Sequence, residues 1–164
     1  MRKTTVIYLL TGSNIEPRLE NVNRAEVLIA RHIGSIIRKS SIYQSPPWGF
    51  DAETFFLNQV ICVSTHLAAT EVLESILKIE KTMGRERSGK SYTSRNIDID
   101  LLYYGQETLE TSSLVIPHPR LHERRFTLQP LVEIAEDFIH PVLGKSNLEL
   151  LRSCPDRSML TLFK

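Results

Sequence analysis

Residues 70–105 read TEVLESILKIEKTMGRERSGKSYTSRNIDIDLLYYG. Over residues 70–83, apolar side chains recur at helical spacing, and Gly84 provides a residue at which helices commonly end. Residues 84–96 show no apolar periodicity and contain several Gly and Ser residues, which is typical of a loop. Residues 97–104 are a short, mostly apolar run ended by a glycine, and they predict a strand. The stretch therefore predicts a helix, a long loop and a strand, in that order.

The residues before this unit predict three more strands and one more helix. The strands cover residues 4–11, 35–45 and 55–65, and the helix covers residues 17–33. The segment Pro46-Pro47-Trp48-Gly49 must form a stiff, non-helical loop, because proline fixes its own backbone and restricts the residue before it. The order β-α-β-β-α-β predicts an α+β, ferredoxin-like core with both helices on one face of the sheet.

The remaining residues predict an addition to this core. We expect a hairpin near residues 106–115 and short helical turns over residues 118–126 and 129–134. A final helix begins at Ser146, where Ser146-Asn147-Leu148-Glu149 fits a capping box. The length of 164 residues suits one domain, residues 1–164.

The composition is that of an ordinary globular protein and excludes several functional classes. Hydrophobic residues make up 41% and charged residues 24% of the chain, and the formal net charge is +1. This balance argues against bulk binding to nucleic acid or to a membrane surface, so we expect neither partner. The apolar run at residues 6–10 is too short for a signal peptide. Cys62 and Cys154 show no disulfide or zinc spacing, which favours a cytoplasmic location.

Asp98-Ile99-Asp100 is the most informative triplet for chemistry. Residues two apart on a strand point to the same face and lie roughly 6.6 Å apart along the chain. The two carboxylates repel each other unless a cation lies between them, and oxygen ligands of this kind suit Mg²⁺. The alternative is a solvated strand face without metal.

The loop before this strand is strongly basic. It contains Arg85, Arg87, Lys90 and Arg95 against one acid, Glu86. Basic side chains beside two carboxylates are what transfer from a nucleoside triphosphate requires, because the metal and the guanidinium groups neutralise the phosphates. A solvated charged loop is the alternative.

Three other patterns carry less weight. Residues 84–91 match the P-loop pattern G-x-x-x-x-G-K-[ST], but a P-loop follows a strand and opens a helix, and the predicted order here is the reverse. His118 and His122 are four residues apart, yet the intervening sequence lacks the Glu of a zinc helix and contains Pro119, so a contact from His118 to a phosphate is the better interpretation. A nucleic-acid-binding ferredoxin-like module would need a Gly-aromatic run that is not evident.

Taken together, the motifs resemble one family, the 6-hydroxymethyl-7,8-dihydropterin pyrophosphokinases of folate biosynthesis. The matching segments occur in family order from about residue 5 to residue 140: Gly12-Ser13-Asn14, Ser45-Pro46-Pro47-Trp48-Gly49, Leu57-Asn58, Glu80 with Gly84-Arg85-Glu86-Arg87, Arg95-Asn96-Ile97-Asp98-Ile99-Asp100-Leu101-Leu102, and Ile116-Pro117-His118-Pro119-Arg120-Leu121 through Arg124-Arg125-Phe126. The pair R-x-x-D-x-D and P-H-P-R-x-x-x-R-x-F is specific.

The resemblance implies an enzyme that moves the β,γ-pyrophosphoryl group of ATP to the pterin hydroxymethyl oxygen and releases AMP. It implies that Asp98 and Asp100 bind two Mg²⁺ ions and that Arg85 and Arg95 are the catalytic residues. It also implies a monomer whose partners are small-molecule substrates. The implied ATP-binding residues are Glu80, Arg85, Arg87, Tyr92, Arg95, Leu101, His118 and Arg124, and the implied pterin-binding residues are Ser45, Pro46, Pro47, Trp48, Gly49, Phe56, Asn58 and Phe126. Tyr92 stands where the family often has Trp, which is a departure from the family pattern within the basic loop.

Overall fold

The computed structural model describes residues 2–49, 53–84 and 96–164. Its elements in chain order are β1 (Thr5–Ser13), α1 (Arg18–His32), β2 (Ser35–Lys39), β3 (Tyr43–Ser45), β4 (Phe56–Thr65), α2 (Ala69–Thr82), β5 (Asp98–Tyr104), β6 (Leu109–Glu110), β7 (Val115–Ile116), a 3₁₀ turn (Leu121–Glu123), α3 (Arg125–Ala135), α4 (Asn147–Arg152) and β8 (Thr161–Leu162).

The main sheet is antiparallel, with the strand order β5-β1-β4-β3-β8, and β2 also pairs with β4. This is the strand arrangement of a ferredoxin-like core, so the predicted fold class is confirmed. The strand predicted over residues 35–45 is divided into β2 and β3. The division occurs at Ser40, whose Oγ accepts a hydrogen bond from the backbone N–H of Val60 at 3.0 Å. A side chain thereby replaces a backbone partner in the ladder, which interrupts regular pairing.

Helices α1 and α2 cover one face of the sheet. Their apolar stripes contribute Ile29, Ile76 and Ile79, which pack against Ile7 and Leu9 of β1, and all five side chains are almost fully buried. Spacing of three to four residues places such side chains on one side of a helix, and alternation places β1 residues two apart on one face. This layer is the one that the periodicity of the sequence predicts.

The C-terminal addition covers the opposite face. Leu128 and Leu131 of α3 pack with Leu10, Val60 and Leu102 of the sheet. The first predicted turn, residues 118–126, contains the 3₁₀ turn Leu121–Glu123. The second, predicted over residues 129–134, is part of a longer helix, because α3 has 11 residues and contains Pro130. A proline inside a helix removes one backbone hydrogen bond, and burial of the apolar stripe outweighs that loss.

Two further predictions concern local signals. The capping box at α4 is confirmed: Ser146 Oγ accepts from the Glu149 N–H at 3.2 Å, and Glu149 Oε2 accepts from the Ser146 N–H at 2.7 Å. The hairpin is confirmed as the pair β6–β7. Within the described part of the chain, no helix combines the length and the apolar character needed to cross a bilayer.

Candidate active site

The two aspartates of β5 point away from α1 and α2. Ile99 and Leu101 alternate with them and are buried in the core beneath those helices. Asp98 and Asp100 are therefore on the face that α3 covers, and both are partly exposed. Asp98 is opposite Gly12 and Asp100 is opposite Leu10 on the neighbouring strand β1. The prediction that both carboxylates share one face is confirmed.

A row of paired residues crosses the sheet at this level. Gly12 pairs with Asp98 on one side and with Asn58 of β4 on the other. Because adjacent strands are about 4.8 Å apart, the backbones of Asp98 and Asn58 are separated by roughly 10 Å. A Cβ atom added to Gly12 would be 3.0 Å from Asn58 Oδ1. We call the sheet surface at Gly12, between the Asp98 carboxylate and the Asn58 amide, the floor of the cleft. Because glycine has no side chain, this floor is open to a ligand.

Asn58 is a buried amide with a fixed orientation. The side chain is only 2% exposed, and its Nδ2 donates a hydrogen bond to Ser45 Oγ at 2.6 Å. Ser45 occupies the last position of β3, where that strand pairs with Phe56 of β4. The donor end of the amide is held by Ser45, and the Oδ1 acceptor end lies over Gly12.

Aromatic side chains form another part of the wall around the carboxylates. The rings of Trp48 and Phe126 meet edge-on, with centroids 6.4 Å apart and an interplanar angle of 62°. The guanidinium of Arg124 lies 4.7 Å from the Trp48 centroid and 5.6 Å from the Phe126 centroid. A second guanidinium, that of Arg120, lies 5.6 Å from the Trp48 centroid. Such contacts orient flat, electron-rich rings and hold cations beside them.

The Arg124 side chain also contacts the acidic edge of the site. Its Nη1 is 3.8 Å from Asp100 Oδ2, and the arginine side chain is only 7% exposed. A charged arginine at this depth needs a counter-charge, and Asp100 provides one.

These elements enclose a cleft, the concave kind of site at which proteins bind small molecules. It is lined by Leu10, Gly12, Ser45, Pro46, Trp48, Phe56, Asn58, Asp98, Asp100, Arg124 and Phe126. The structure thus brings together six of the eight residues predicted to contact pterin, both predicted metal ligands and one residue predicted to contact ATP.

His118 lies next to the cleft. Burial, with the neighbouring charge of Arg124, lowers the pKa of His118 to about 4, although the charge of Asp98 opposes the shift. The imidazole is therefore neutral near pH 7. Its Nδ1 accepts a hydrogen bond from the Arg120 N–H at 3.2 Å. In the neutral ring the proton is therefore on Nε2, and this N–H can donate a hydrogen bond to an anion.

Several predicted residues lie elsewhere. Pro47 and Gly49 belong to the β3–β4 loop but do not line the cleft. Leu101 faces the layer under α1 and α2, and Glu80 is buried on α2. The predictions for Arg85, Arg87, Tyr92 and Arg95 fall outside the described residues.

Two lining residues were not among the predicted site residues. Leu10 and Gly12 line the cleft from β1. The sequence suggested that β1 ends before Gly12, but the strand continues to Ser13. A glycine within a strand is a sequence signal for close approach of a ligand, and that signal could have identified Gly12.

The donor set fits magnesium. In the described ranges, no three His, Cys, Asp or Glu side chains cluster as a complete protein-made metal site. Among the lining residues that the structure describes, Asp98 and Asp100 are the acidic ones. Mg²⁺ is commonly held by one or two carboxylates, with water and substrate phosphates completing its shell.

Comparison with known proteins agrees with this geometry. Residues 8–136 match the sequence model of the family described as 7,8-dihydro-6-hydroxymethylpterin-pyrophosphokinase (HPPK). The chain belongs to this family. The resemblance inferred from the motifs is thereby confirmed.

Two similar proteins come from Bacillus subtilis and Aquifex aeolicus. The chain is 37% identical over 132 residues to the 2-amino-4-hydroxy-6-hydroxymethyldihydropteridine pyrophosphokinase of Bacillus subtilis, covering 80% of this chain and 78% of that protein. It is 38% identical over 139 residues to the protein of the same name from Aquifex aeolicus, covering 85% and 86%.

A solved structure shares the HPPK fold. The crystal structure of Plasmodium falciparum HPPK-DHPS, wild type with pteroate, superposes with a TM-score of 0.76 at 14% identity. The match covers 93% of this chain but 45% of that one, so this chain spans less than half of the Plasmodium protein. At this identity the likeness establishes the fold alone.

Proposed function

We propose that this chain transfers the β,γ-pyrophosphoryl group of ATP to the hydroxymethyl oxygen of 6-hydroxymethyl-7,8-dihydropterin and releases AMP. Membership of the HPPK family makes the chain a pyrophosphokinase of folate biosynthesis, a transferase with ATP as co-substrate. The hydroxymethyl oxygen bonds to the β-phosphorus, and the bond between that phosphorus and the oxygen bridging to the α-phosphate breaks.

The row Asp98–Gly12–Asn58 is the observation that carries the proposal. It places a hydrogen-bonding amide and an acidic edge on one open floor, roughly 10 Å apart at the backbone. A bicyclic heterocycle seated on the amide would extend its hydroxymethyl group toward the carboxylates. Only glycine at position 12 leaves this surface open, because the Cβ atom of any other residue there would meet the Asn58 side chain.

The pterin would lie between the aromatic side chains. Phe56 and Phe126 offer apolar surfaces for a flat ring system, with Trp48 behind Phe126. Asn58 Oδ1 would accept from the donor edge of the heterocycle, and Ser45 keeps the amide from rotating. Pro46 and its neighbour Pro47 stiffen the loop that closes this end.

The triphosphate would lie at the acidic edge. Asp98 and Asp100 would hold two Mg²⁺ ions, which when bound neutralise the phosphates and the charge that develops during transfer. Arg124 beside Asp100 and the neutral His118 would contact phosphate oxygens. Arg85 and Arg95 remain the predicted catalytic arginines of the segment 85–95, with Arg87 and Tyr92 as further predicted ATP contacts.

The nucleoside would extend past the edge of the sheet. β5 is an edge strand, with the cleft on one face and α2 on the other. A nucleotide with phosphates at Asp98 and a base near Leu101 and Glu80 would cross this edge. We further propose that residues 1–164 act as one domain, as a monomer, in the cytoplasm.

The decisive experiment measures the product. Purified protein is incubated with ATP, Mg²⁺ and the hydroxymethyl dihydropterin, and nucleotides are separated by chromatography. We expect AMP in amounts equal to the pterin consumed and none when the pterin is omitted. Formation of ADP, or AMP formation that does not depend on the pterin, would contradict the proposal.

A matched variant assigns the activity to the cleft. Asn58→Leu keeps the approximate volume of the side chain and removes its hydrogen bonds. We expect AMP formation at subsaturating pterin to fall by about 10²- to 10⁴-fold, because loss of a specific hydrogen-bonding group strongly weakens recognition of a polar substrate. Binding of an ATP analogue with Mg²⁺ should be unchanged.

A further inference from the structure

The C-terminal segment, residues 153–162, lies outside the part of the chain that matches the family, yet it contacts two sides of the cleft. On one side, Asp156 Oδ2 accepts a hydrogen bond at 3.0 Å from the backbone N–H of Arg125, the first residue of α3. On the other side, β8 pairs with β3, the strand that ends at Ser45. The segment therefore connects the start of α3 to the strand that supports Asn58.

Helix α3 begins without a local cap. Arg124 occupies the N-cap position and forms no side-chain capping hydrogen bond, and the first turn contains no acidic residue. The first N–H groups of a helix have no partner within the helix, and their end of the helix carries partial positive charge. Asp156 supplies both the missing acceptor and the negative charge from a distant part of the chain.

The hydrogen bond from Arg125 to Asp156 lies between two residues that line the cleft. Arg124 has an extended backbone, with φ −119° and ψ 110°, and the helix starts at the next residue. Arg124 and Phe126 both line the cleft, and Arg125 lies between them. Fixing the Arg125 N–H therefore fixes the directions of the two side chains that contact Trp48.

The carboxylate is itself held in place. Asp156 Oδ1 accepts from the Ser158 N–H at 2.9 Å and from the Ser158 hydroxyl at 2.5 Å. Burial would raise the pKa of Asp156, but these hydrogen bonds and that from Arg125 lower it below its usual value. The group is therefore ionised at neutral pH.

We propose that Asp156 is a positioning residue for the pterin cleft, which acts by holding the first turn of α3 so that Arg124 and Phe126 meet Trp48. Its effect on substrate rests on the proposed function, whereas its effect on the geometry of the wall does not.

Trp48 allows that geometry to be measured without substrate. It is the single tryptophan of the chain, and it contacts both Arg124 and Phe126. We expect Asp156→Ala to shift its emission and to increase its quenching by acrylamide. Asp156→Asn should restore the wild-type values, because Asn caps helices about as well as Asp.

The kinetic readout uses the same variants. We expect Asp156→Ala to raise the KM for the pterin by about 3- to 30-fold. This is the fold-change that corresponds to the free-energy cost of losing one helix cap. Ser146→Ala is the matched control, since it removes the cap of α4 at a comparable cost in stability. It should lower the Tm similarly and leave the Trp48 emission and the KM unchanged.

A second variant tests the proposal if Asp156→Ala does not fold. Ser158→Ala removes one bond to the carboxylate and should change the emission and the KM in the same direction, by a smaller factor. Wild-type emission and KM in the folded Asp156→Ala variant, or in Ser158→Ala when Asp156→Ala is insoluble, would overturn the proposal. Changes equal to those of Ser146→Ala would do so as well. If the wild-type protein forms no AMP, the proposed function fails, while the emission experiment still tests the position of α3.

Discussion

The guanidinium of Arg124 lies 4.7 Å from the centroid of the Trp48 ring. The same side chain is within 3.8 Å of Asp100 through Nη1. One buried cation thus connects the aromatic wall of the cleft to its acidic edge. The two ends of the cleft, which we propose bind the pterin and the phosphates, are therefore coupled through Arg124.

This relationship predicts different outcomes for two substitutions of Arg124. Arg124→Gln leaves Asp100 without this counter-charge and removes a donor to the phosphates, so kcat/KM for ATP should fall by about 10²- to 10³-fold. Arg124→Lys keeps the charge but not the planar stacking on Trp48, and it should recover only part of the loss. Steady-state kinetics with varied ATP measure both, and equal rates for wild type and Arg124→Gln would contradict the assignment.

Asp98→Asn and Asp100→Asn should each remove most of the activity and its dependence on Mg²⁺. We expect a loss of about 10²-fold or more, because a neutral ligand weakens metal binding and the hold on the phosphates. Their stabilities should differ. Asp98→Asn should melt at the wild-type temperature or higher, whereas Asp100→Asn also loses the contact with Arg124 and should melt lower. Near-normal turnover of either variant at saturating Mg²⁺ would contradict the metal site.

Gly12→Ala tests the open floor of the cleft. The new Cβ would be 3.0 Å from Asn58 Oδ1, at the place where the heterocycle would lie. We expect the Kd for the pterin to rise by about 10- to 100-fold, a loss of about 1.4–2.8 kcal/mol, while the Kd for an ATP analogue is unchanged. Ser13→Ala, whose side chain bonds Asn21 instead, is the control and should bind both ligands normally. Calorimetric titration compares the two, and unchanged pterin binding by Gly12→Ala would count against the placement.

Substitutions in the segment 85–95 can distinguish catalysis by Arg85 and Arg95 from a P-loop mechanism that uses Lys90. If Arg85 and Arg95 meet the transferring phosphates, their Ala variants should lose about 10²- to 10³-fold in kcat/KM. On this assignment Lys90 is not one of the residues that meet the transferring phosphates, so Lys90→Ala should lose little, about 0–1 kcal/mol in transition-state stabilisation. The reverse ranking would favour a P-loop mechanism.

A pH-dependent contribution to stability should arise at Glu133 of α3. Its carboxylate accepts from the Tyr43 hydroxyl at 2.6 Å and from the Ser41 N–H and hydroxyl at 2.8 Å each. Burial would raise the pKa of Glu133, but these hydrogen bonds lower it below its usual value of 4.5. A lowered pKa means that the contribution is complete above about pH 5 and is lost as the pH falls through the folded-state value.

Glu133→Gln should accordingly reduce the free energy of unfolding by about 1 kcal/mol at pH 7, which is below the usual value for hydrogen bonds to a charged group because the residue is exposed. The difference from wild type should shrink toward pH 3. Urea unfolding at the two pH values provides the measurement, and a difference that grows on acidification would contradict the assignment.

The sequence by itself determined the order of the core elements and the common face of the two aspartates. Helical periodicity, Gly84 at the end of α2 and the capping box at Ser146 are local signals that act within a few residues. The same holds for Asp98 and Asp100, because the alternation of a strand depends only on the strand itself. The proline pair before Trp48 likewise restricts its own backbone.

The tertiary structure alone decided which residues meet across the sheet. Gly12 separates Asp98 from Asn58 because of the register between β1 and its two neighbours, and register is set by pairing between segments far apart in the chain. The burial of Leu128 and Leu131 against the second face made α3 one helix despite Pro130. Asp156 reaches the Arg125 N–H only once residues 153–162 have folded back over the sheet. Periodicity and composition report which side chains are buried, but contacts between distant segments depend on how the whole chain packs, and no local pattern encodes them.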